Sequence, residues 1–138
     1  MSCLASDVLP EFGSYPSAPE PVHRKANVRL TSTETRRYTT QLREAQKHPA
    51  DFAGHFVLAT WGCGAGCVMG AAIDAKTGAV TMLPFTVSDW PLDVTDPLSY
   101  RNDSSLLVIR GSRNEKGSGT YYYHFDGRKF RLVKAIEA

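Results

Sequence analysis

Residues 56–83 read FVLATWGCGAGCVMGAAIDAKTGAVTML, and this stretch decides the fold because three β-rich runs alternate with two turn signals. The predicted strands are His55 to Trp61, Cys67 to Ile73 and Ala79 to Leu83. Glycines occupy the first junction, and Asp-Ala-Lys-Thr-Gly at the second suits a longer turn with glycine in the left-handed conformation. Short connections of this kind join antiparallel neighbours, so the stretch predicts a three-stranded meander.

Residues 106–133, LLVIRGSRNEKGSGTYYYHFDGRKFRLV, repeat this layout with little identity. Strands are predicted for Leu106 to Arg110, Gly119 to Phe125 and Phe130 to Ile136, and Asp126-Gly127 is a strong hairpin signal. An irregular, acidic connection over residues 84–105 joins the two meanders. Two meanders either continue as one twisted sheet or stack as a sandwich.

One amphipathic helix is predicted from Thr33 to Lys47, with Ser32 as its N-cap and Pro49 beyond its end. Tyr38 and Leu42 begin an apolar stripe, and the opposite face is rich in arginine. The stripe needs a larger partner, which is the sheet. The predicted class is therefore mostly β (α+β), with one flanking helix.

The chain has 138 residues, a length that fits one domain and excludes a multidomain enzyme, and its net charge is +2. So small a charge is not that of a dedicated nucleic-acid binder, and no apolar run is long enough to cross a bilayer. Residues 1–22 are rich in proline and predict an extended leader, followed by a single β-rich domain over residues 23–138. Basic segments at residues 23–47 and 109–138 flank an acidic middle.

Three cysteines bear on the cellular compartment. Cys63 and Cys67 lie four residues apart among glycines, which favours a hairpin tip closed by a disulfide over a redox pair or a metal site. This pairing leaves Cys3 unpaired, and in an exported chain such a cysteine is a candidate lipid-anchor position. No apolar signal-peptide core is visible near the start of the sequence.

The second half offers a candidate binding loop. Residues 111–118 are polar and basic and lead into three tyrosines, a combination suited to insertion into an acidic cleft. Three tyrosines are also an ordinary strand sequence, and the binding role requires that Tyr121 be exposed. The predicted binding residues are Arg113, Lys116, Ser118, Gly119 and Tyr121.

Two resemblances add to these patterns. Phe52-Ala53-Gly54-His55-Phe56 and Trp61-Gly62-Cys63-Gly64-Ala65-Gly66-Cys67 resemble a family of small exported bacterial proteins of uncharacterised activity, which implies export and a disulfide. The two-meander layout and Ser118-Gly119-Thr120-Tyr121 resemble the periplasmic lysozyme inhibitors, whose loop enters the lysozyme active-site cleft. That resemblance implies that Ser118 and Tyr121 face the cleft.

The predicted function is that of an exported binding or inhibitor module, periplasmic or secreted, without catalytic residues, cofactor or metal. Its predicted partner is a cell-wall hydrolase, or a secreted effector if the chain is an immunity protein; no nucleic acid is expected. Two alternatives stay open. One is a small enzyme with a site near His55, Trp61 and Asp74, and the other is a structural envelope protein.

Overall fold

The computed structural model describes residues 8–137, which form a single eight-stranded antiparallel sheet with two short helices on one side. The prediction of a mostly β fold with a flanking helical segment is confirmed. The principal path through the sheet is β1-β2-β4-β6-β7-β8, with β3 paired to β2 and β5 paired to β6. The strands are β1 (Phe56–Gly64), β2 (Cys67–Asp74), β3 (Val80–Met82), β4 (Val87–Ser88), β5 (Leu98–Ser99), β6 (Leu106–Arg113), β7 (Lys116–Phe125) and β8 (Phe130–Glu137).

Both predicted meanders are present, as β1-β2-β3 and β6-β7-β8. They belong to one sheet, not to a sandwich, because β4 pairs with the start of β2 on one side and with the end of β6 on the other. Neither β4 nor β5 was predicted from the sequence. Since β4 joins Cys67 to Ser112 through Ser88, the tips of the β1–β2 and β6–β7 hairpins lie at the same end of the molecule.

The two halves share an irregularity that supports the repeat. The register shifts between Gly62 and Gly64 in the first hairpin and between Gly111 and Arg113 in the second. Gly111 has a φ of 139°, and a Cβ there would lie 2.5 Å from the carbonyl oxygen of Ser88. Only glycine permits both this backbone conformation and the close approach of β4.

The inner face of the coiled sheet holds the main core, to which both halves contribute. Phe56 and Leu58 of the first half pack with Leu107, Ile109 and other buried side chains of the second half. The rings of Phe56 and Phe125, from opposite halves, meet edge to face at 4.9 Å. Because this core is shared, the halves form one folding unit.

The helical segment covers the outer face of the first half, as its apolar stripe predicts. Leu42 is fully buried there against Val57, Ala59 and Ile73. The single predicted helix is, however, two short ones, α1 (Thr33–Arg37) and α2 (Thr39–Ala45).

The break between the helices lies at Tyr38, which leaves helical geometry at φ −111° and ψ 32°. The Thr39 hydroxyl donates a hydrogen bond to the carbonyl of Arg36, which supplies a side-chain partner to a backbone group near the helix end. The Tyr38 ring lies 5.2 Å from the Trp61 ring. No helix among residues 8–137 is long and apolar enough to span a membrane.

Before the helices, the chain runs extended along the sheet. The backbone N–H of Ser17 donates to the carbonyl of Asp103 at 2.9 Å, and that of Glu20 donates to Gly54 at 3.1 Å. The part of the leader within the described range is therefore bound to the β-rich domain. Cys3, the candidate lipid-anchor position, lies outside the described residues.

Candidate functional site

The predicted binding loop is the tip of the β6–β7 hairpin. Asn114 and Glu115 form its two-residue turn, and both have positive φ (52° and 64°), as a type I′ turn requires. Lys116 and Ser118 are exposed next to the turn. These two predicted binding residues are therefore accessible to a partner.

Tyr121 lies in the core, and the prediction that it faces a partner is wrong. Its side chain has 0% relative exposure, and it shares the inner face of β7 with Tyr123 and Phe125. Its hydroxyl donates to Glu137 at 3.0 Å. Burial, followed by the hydrogen bond and charge of that carboxylate, raises the pKa of Tyr121. Alternation along the strand placed these three aromatic residues on one face but did not show which face was inside.

Arg113 and Gly119 are half-buried, and both take part in the packing of the hairpin. The Arg113 guanidinium lies 3.7 Å above the centre of the Tyr121 ring, and its Nη1 donates to the Tyr123 hydroxyl at 2.6 Å. Burial alone would lower the pKa of Arg113, but its contacts with the two tyrosines raise it overall. At Gly119, a Cβ would lie 2.2 Å from the carbonyl oxygen of Ile136 on β8. Of the five predicted contact residues, Tyr121 is buried, Arg113 and Gly119 are half-buried, and Lys116 and Ser118 are exposed.

The other hairpin tip carries the disulfide between Cys63 and Cys67, with their Cα atoms 5.1 Å apart. This confirms the predicted pairing, and it removes both thiols as nucleophiles and metal ligands. Among residues 8–137, no group of three or more histidine, cysteine, aspartate or glutamate side chains is arranged to hold a metal ion.

The alternative enzyme site divides between the two ends of β1. His55 and Asp74 come together, with Nε2 of the imidazole 3.3 Å from Oδ1 of the carboxylate. Trp61 lies six residues further along the strand, which is about 20 Å away at the rise of an extended chain. The three residues therefore do not form one site.

His55 is held between two carboxylates. Its Nδ1 faces Glu20 at 3.9 Å while its Nε2 faces Asp74, and Glu20 also pairs with Lys76. A catalytic base needs one nitrogen directed at the group it deprotonates. No hydroxyl or thiol in the described part of the chain hydrogen-bonds to His55, so the arrangement lacks a nucleophile–base pair.

His55 and Asp74 nevertheless line a cavity of about 550 Å³ at the end opposite the hairpin tips; we call it the polar cavity. The second half contributes His124 and Asp126, which sequence reasoning left out of any site. The repeat held a signal for Asp126, because it directly follows β7 at the position where Asp74 ends β2 in the first half.

A groove of about 410 Å³ lies between α2 and β1; we call it the edge groove. Residues 57–61 form one wall, and Thr40, Gln41, Glu44 and Ala45 of the helix contribute to the other. β1 is a terminal strand of the sheet, so the groove follows an edge of β1 that has no neighbouring strand. The edge groove was not predictable from local sequence patterns, because edge position depends on the order of all the strands.

Two side chains stand out in the edge groove. Asp51 accepts the backbone N–H of Leu58 through Oδ1 at 2.9 Å, and burial raises the pKa of its carboxyl despite that bond. Trp61 lies further along the same wall, and its buried indole Nε1 has no hydrogen-bond partner in the described residues. The groove therefore holds a desolvated acceptor and a donor without a partner.

No family model, curated protein or solved structure matches this chain.

Proposed function

We propose that this protein is a binding module that takes up an extended segment of a partner protein along the free edge of β1. The observation that carries the proposal is the free edge of β1 inside the edge groove, from the Leu58 carbonyl to Thr60. An exposed strand edge recognises extended peptides through main-chain hydrogen bonds, and side-chain pockets beside it supply specificity.

The direction of the backbone groups follows from the ladder. In an antiparallel pair, alternate residues direct their N–H and C=O groups toward the neighbour or away from it. Phe56 directs its N–H away from β2, to the carbonyl of Phe52, and Leu58 donates to Asp51. By the same alternation, Thr60 directs its N–H and C=O groups away from β2. Its ladder partner Gly70 likewise points away from β1, because the Gly70 carbonyl accepts the N–H of Leu83.

The free groups are thus the Leu58 carbonyl and both backbone groups of Thr60. The chain itself covers the edge before this point, since Phe52 and Asp51 cap its first residues. Thr60 is exposed, whereas the four preceding residues of β1 are buried. A short peptide of about three to five residues would complete the hydrogen bonds of this free stretch.

The charge of the edge groove favours a basic peptide. Asp51 and Glu44 line it together with His48, whereas two lysines do not: Lys47, the ion-pair partner of Glu44 at 3.1 Å, and Lys25, whose charge acts on Asp51. That ion pair is exposed and therefore weak, which leaves the carboxylate available to another cation. An arginine or lysine on the added strand would meet both carboxylates.

The alternative enzyme is less well supported, because His55 lacks a nucleophile and Trp61 lies far from it. Export to a periplasmic or secreted location is part of the proposal, and the disulfide supports it, since such bonds persist in oxidising compartments.

The partner class that we propose remains a cell-wall hydrolase, as the resemblance to lysozyme inhibitors implies. The proposed contact moves from the β6–β7 tip to the edge groove, because Tyr121 is buried.

The test compares Thr60→Pro with Thr60→Val. Proline removes the outward N–H and places its ring where a partner strand would pair, yet it removes no ladder bond to β2. We expect basic peptides selected from a displayed random library against the wild-type protein to bind Thr60→Pro at least tenfold more weakly. Thr60→Val keeps the N–H and should bind as the wild type does.

Equal binding to the proline variant, with thermal unfolding unchanged, would rule out strand addition at this edge. The hydrolase assignment uses the same two variants. Lysozymes that the wild type inhibits should escape Thr60→Pro and remain inhibited by Thr60→Val. If no lysozyme responds to the wild-type protein, the partner lies in another class.

A further inference from the structure

The polar cavity lies at the end of the molecule remote from the hairpin tips, and three separate parts of the chain form it. Ser17 comes from the extended N-terminal segment, His55 and Asp74 from the first half, and His124 and Asp126 from the second half. These residues meet only because the sheet coils until Phe56 and Phe125 come into contact, and both of those rings line the cavity. Its shape therefore depends on the complete fold.

Several polar groups in the cavity retain free hydrogen-bonding capacity. The His124 ring packs 5.2 Å from the Tyr15 ring, and its nitrogens have no hydrogen-bond partner among residues 8–137. Oδ1 of Asp74 accepts the backbone N–H of Lys76 and lies 3.3 Å from Nε2 of His55, which leaves Oδ2 available. Ser105 also lines the cavity, and its hydroxyl has only a long contact, 3.5 Å, with the Tyr15 carbonyl.

Asp126 is an acceptor that stays ionised. Its Oδ1 accepts the backbone N–H groups of Arg128 and Lys129, at 2.8 and 2.9 Å. These bonds lower the pKa of the carboxyl. Its Oδ2 faces Arg131 at 3.7 Å, a distance too long for a hydrogen bond. Asp126 is thus charged and fixed in direction by its own turn.

The charges and hydrogen-bonding groups that line the polar cavity indicate which class of ligand it would bind. Each aspartate already has a positive or potentially positive neighbour, so the cavity has no strong net attraction for an ion. The remaining groups mix acceptors, on the aspartates, with donors on Ser105 and Arg128. Hydroxyl groups both donate and accept hydrogen bonds, so they match this mixture better than a phosphate or an amine does.

We infer that the polar cavity binds a small neutral polyhydroxylated compound, of the size of a mono- or disaccharide. Its volume of about 550 Å³ lies within the usual range for small-molecule sites. Convergent polar groups over an apolar floor are the usual composition of such a site. The site lies apart from the edge groove and does not depend on the function proposed for that groove.

The experiment is a nuclear magnetic resonance titration of the whole chain with N-acetylglucosamine and with glucose. Saturable shifts of the His55 and His124 ring signals are expected for at least one of the two sugars. His124→Phe keeps the ring packed on Tyr15 but removes its nitrogens, so it should weaken binding at least fivefold. The matched control is His23→Phe, which makes the same change at an exposed position outside the cavity.

Putrescine and inorganic phosphate test the other ligand classes. Tighter saturation by either of them than by both sugars would overturn the inference of a neutral ligand. Sugar binding that His124→Phe leaves unchanged would overturn the location, and shifts that stay linear to the solubility limit would overturn the site itself.

Discussion

At the scale of single residues, the structure separates side chains that are polar by type from those that are available to a partner. Arg113 Nη1 and the Tyr121 hydroxyl are both polar groups suited to recognition, yet each donates to a partner within the protein, whereas the buried Arg113 Nε has no partner among the described residues. Buried polar groups are expected to be satisfied in this way, because an unpaired one costs folding free energy. At Asp51, burial disfavours the charged carboxylate that the proposed peptide binding would use.

Asp51→Asn should stabilise the protein increasingly as the pH rises. Burial raises the pKa of this carboxyl above 3.8, so its contribution to the free energy of unfolding is fully present below that pH and is lost as the pH rises through the folded-state pKa. Asparagine keeps an oxygen for the Leu58 N–H and carries no charge. Urea unfolding at about pH 4 and about pH 7 measures the trend.

Asp103→Asn is the matched control for that trend. The hydrogen bond from Arg101 lowers the pKa of Asp103, so its contribution to stability is present above pH 3.8 and is lost as the pH falls. This variant should lose stability relative to the wild type as the pH rises. The same slope for both variants would contradict the assignment of burial as the dominant cause at Asp51.

At the scale of elements, the tips of the β1–β2 and β6–β7 hairpins have similar geometry but are stabilised by different interactions. Both carry a register irregularity just before a two-residue turn, Ala65-Gly66 in the first and Asn114-Glu115 in the second, but the first tip is also closed by Cys63–Cys67. A type I′ turn forms without a covalent link because its twist matches that of the paired strands. The disulfide therefore acts locally, within a sheet that pairs without it.

Replacing both Cys63 and Cys67 with serine should lower the free energy of unfolding by about 2 kcal/mol or less. The closed loop spans a sequence separation of only four residues, so the bond removes little entropy from the unfolded chain. Urea unfolding measures the loss. Amide exchange should quicken at Gly64 and Gly66 and stay unchanged at Gly117 in the other tip; faster exchange throughout the sheet would show that the bond supports the whole fold.

At the scale of the whole molecule, the shared inner core makes the two repeated halves dependent on each other. Each meander alone would expose its inner face, and the first would also need the helices on its outer face. The edge groove and the polar cavity lie at different places on this one body, and both require its complete topology. The edge groove requires that β1 be a terminal strand, and the polar cavity requires that the sheet coil far enough to bring its two halves together.

Leu107→Ala should therefore destabilise both halves equally. Leu107 is fully buried in the second half, and removing such a side chain costs about 2–5 kcal/mol. In a Trp90→Phe background, Trp61 in the first half is the one remaining tryptophan, and its fluorescence reports on that half. Its urea transition should shift together with that of far-ultraviolet circular dichroism. A Trp61 transition that stays in place would mean that the halves unfold separately.

The sequence by itself determined the elements whose signals are local. Alternation, glycine-rich turns and Asp126-Gly127 predicted the six strands of the two meanders, and the spacing of Cys63 and Cys67 predicted their bond. The helical segment was also predicted, apart from its break at Tyr38. These features depend on interactions between residues close together in the chain, so they can be predicted without knowledge of the fold.

Only the tertiary structure decided which faces and edges remain open. Alternation divides β7 into two faces, but the coiling of the sheet turns Tyr121 inward and places His124 and His55 in the lining of one cavity. The two-residue strand β4 joins the meanders and thereby leaves one edge of β1 free at Thr60. Burial and edge position depend on contacts between residues far apart in sequence, and a local pattern carries no information about them.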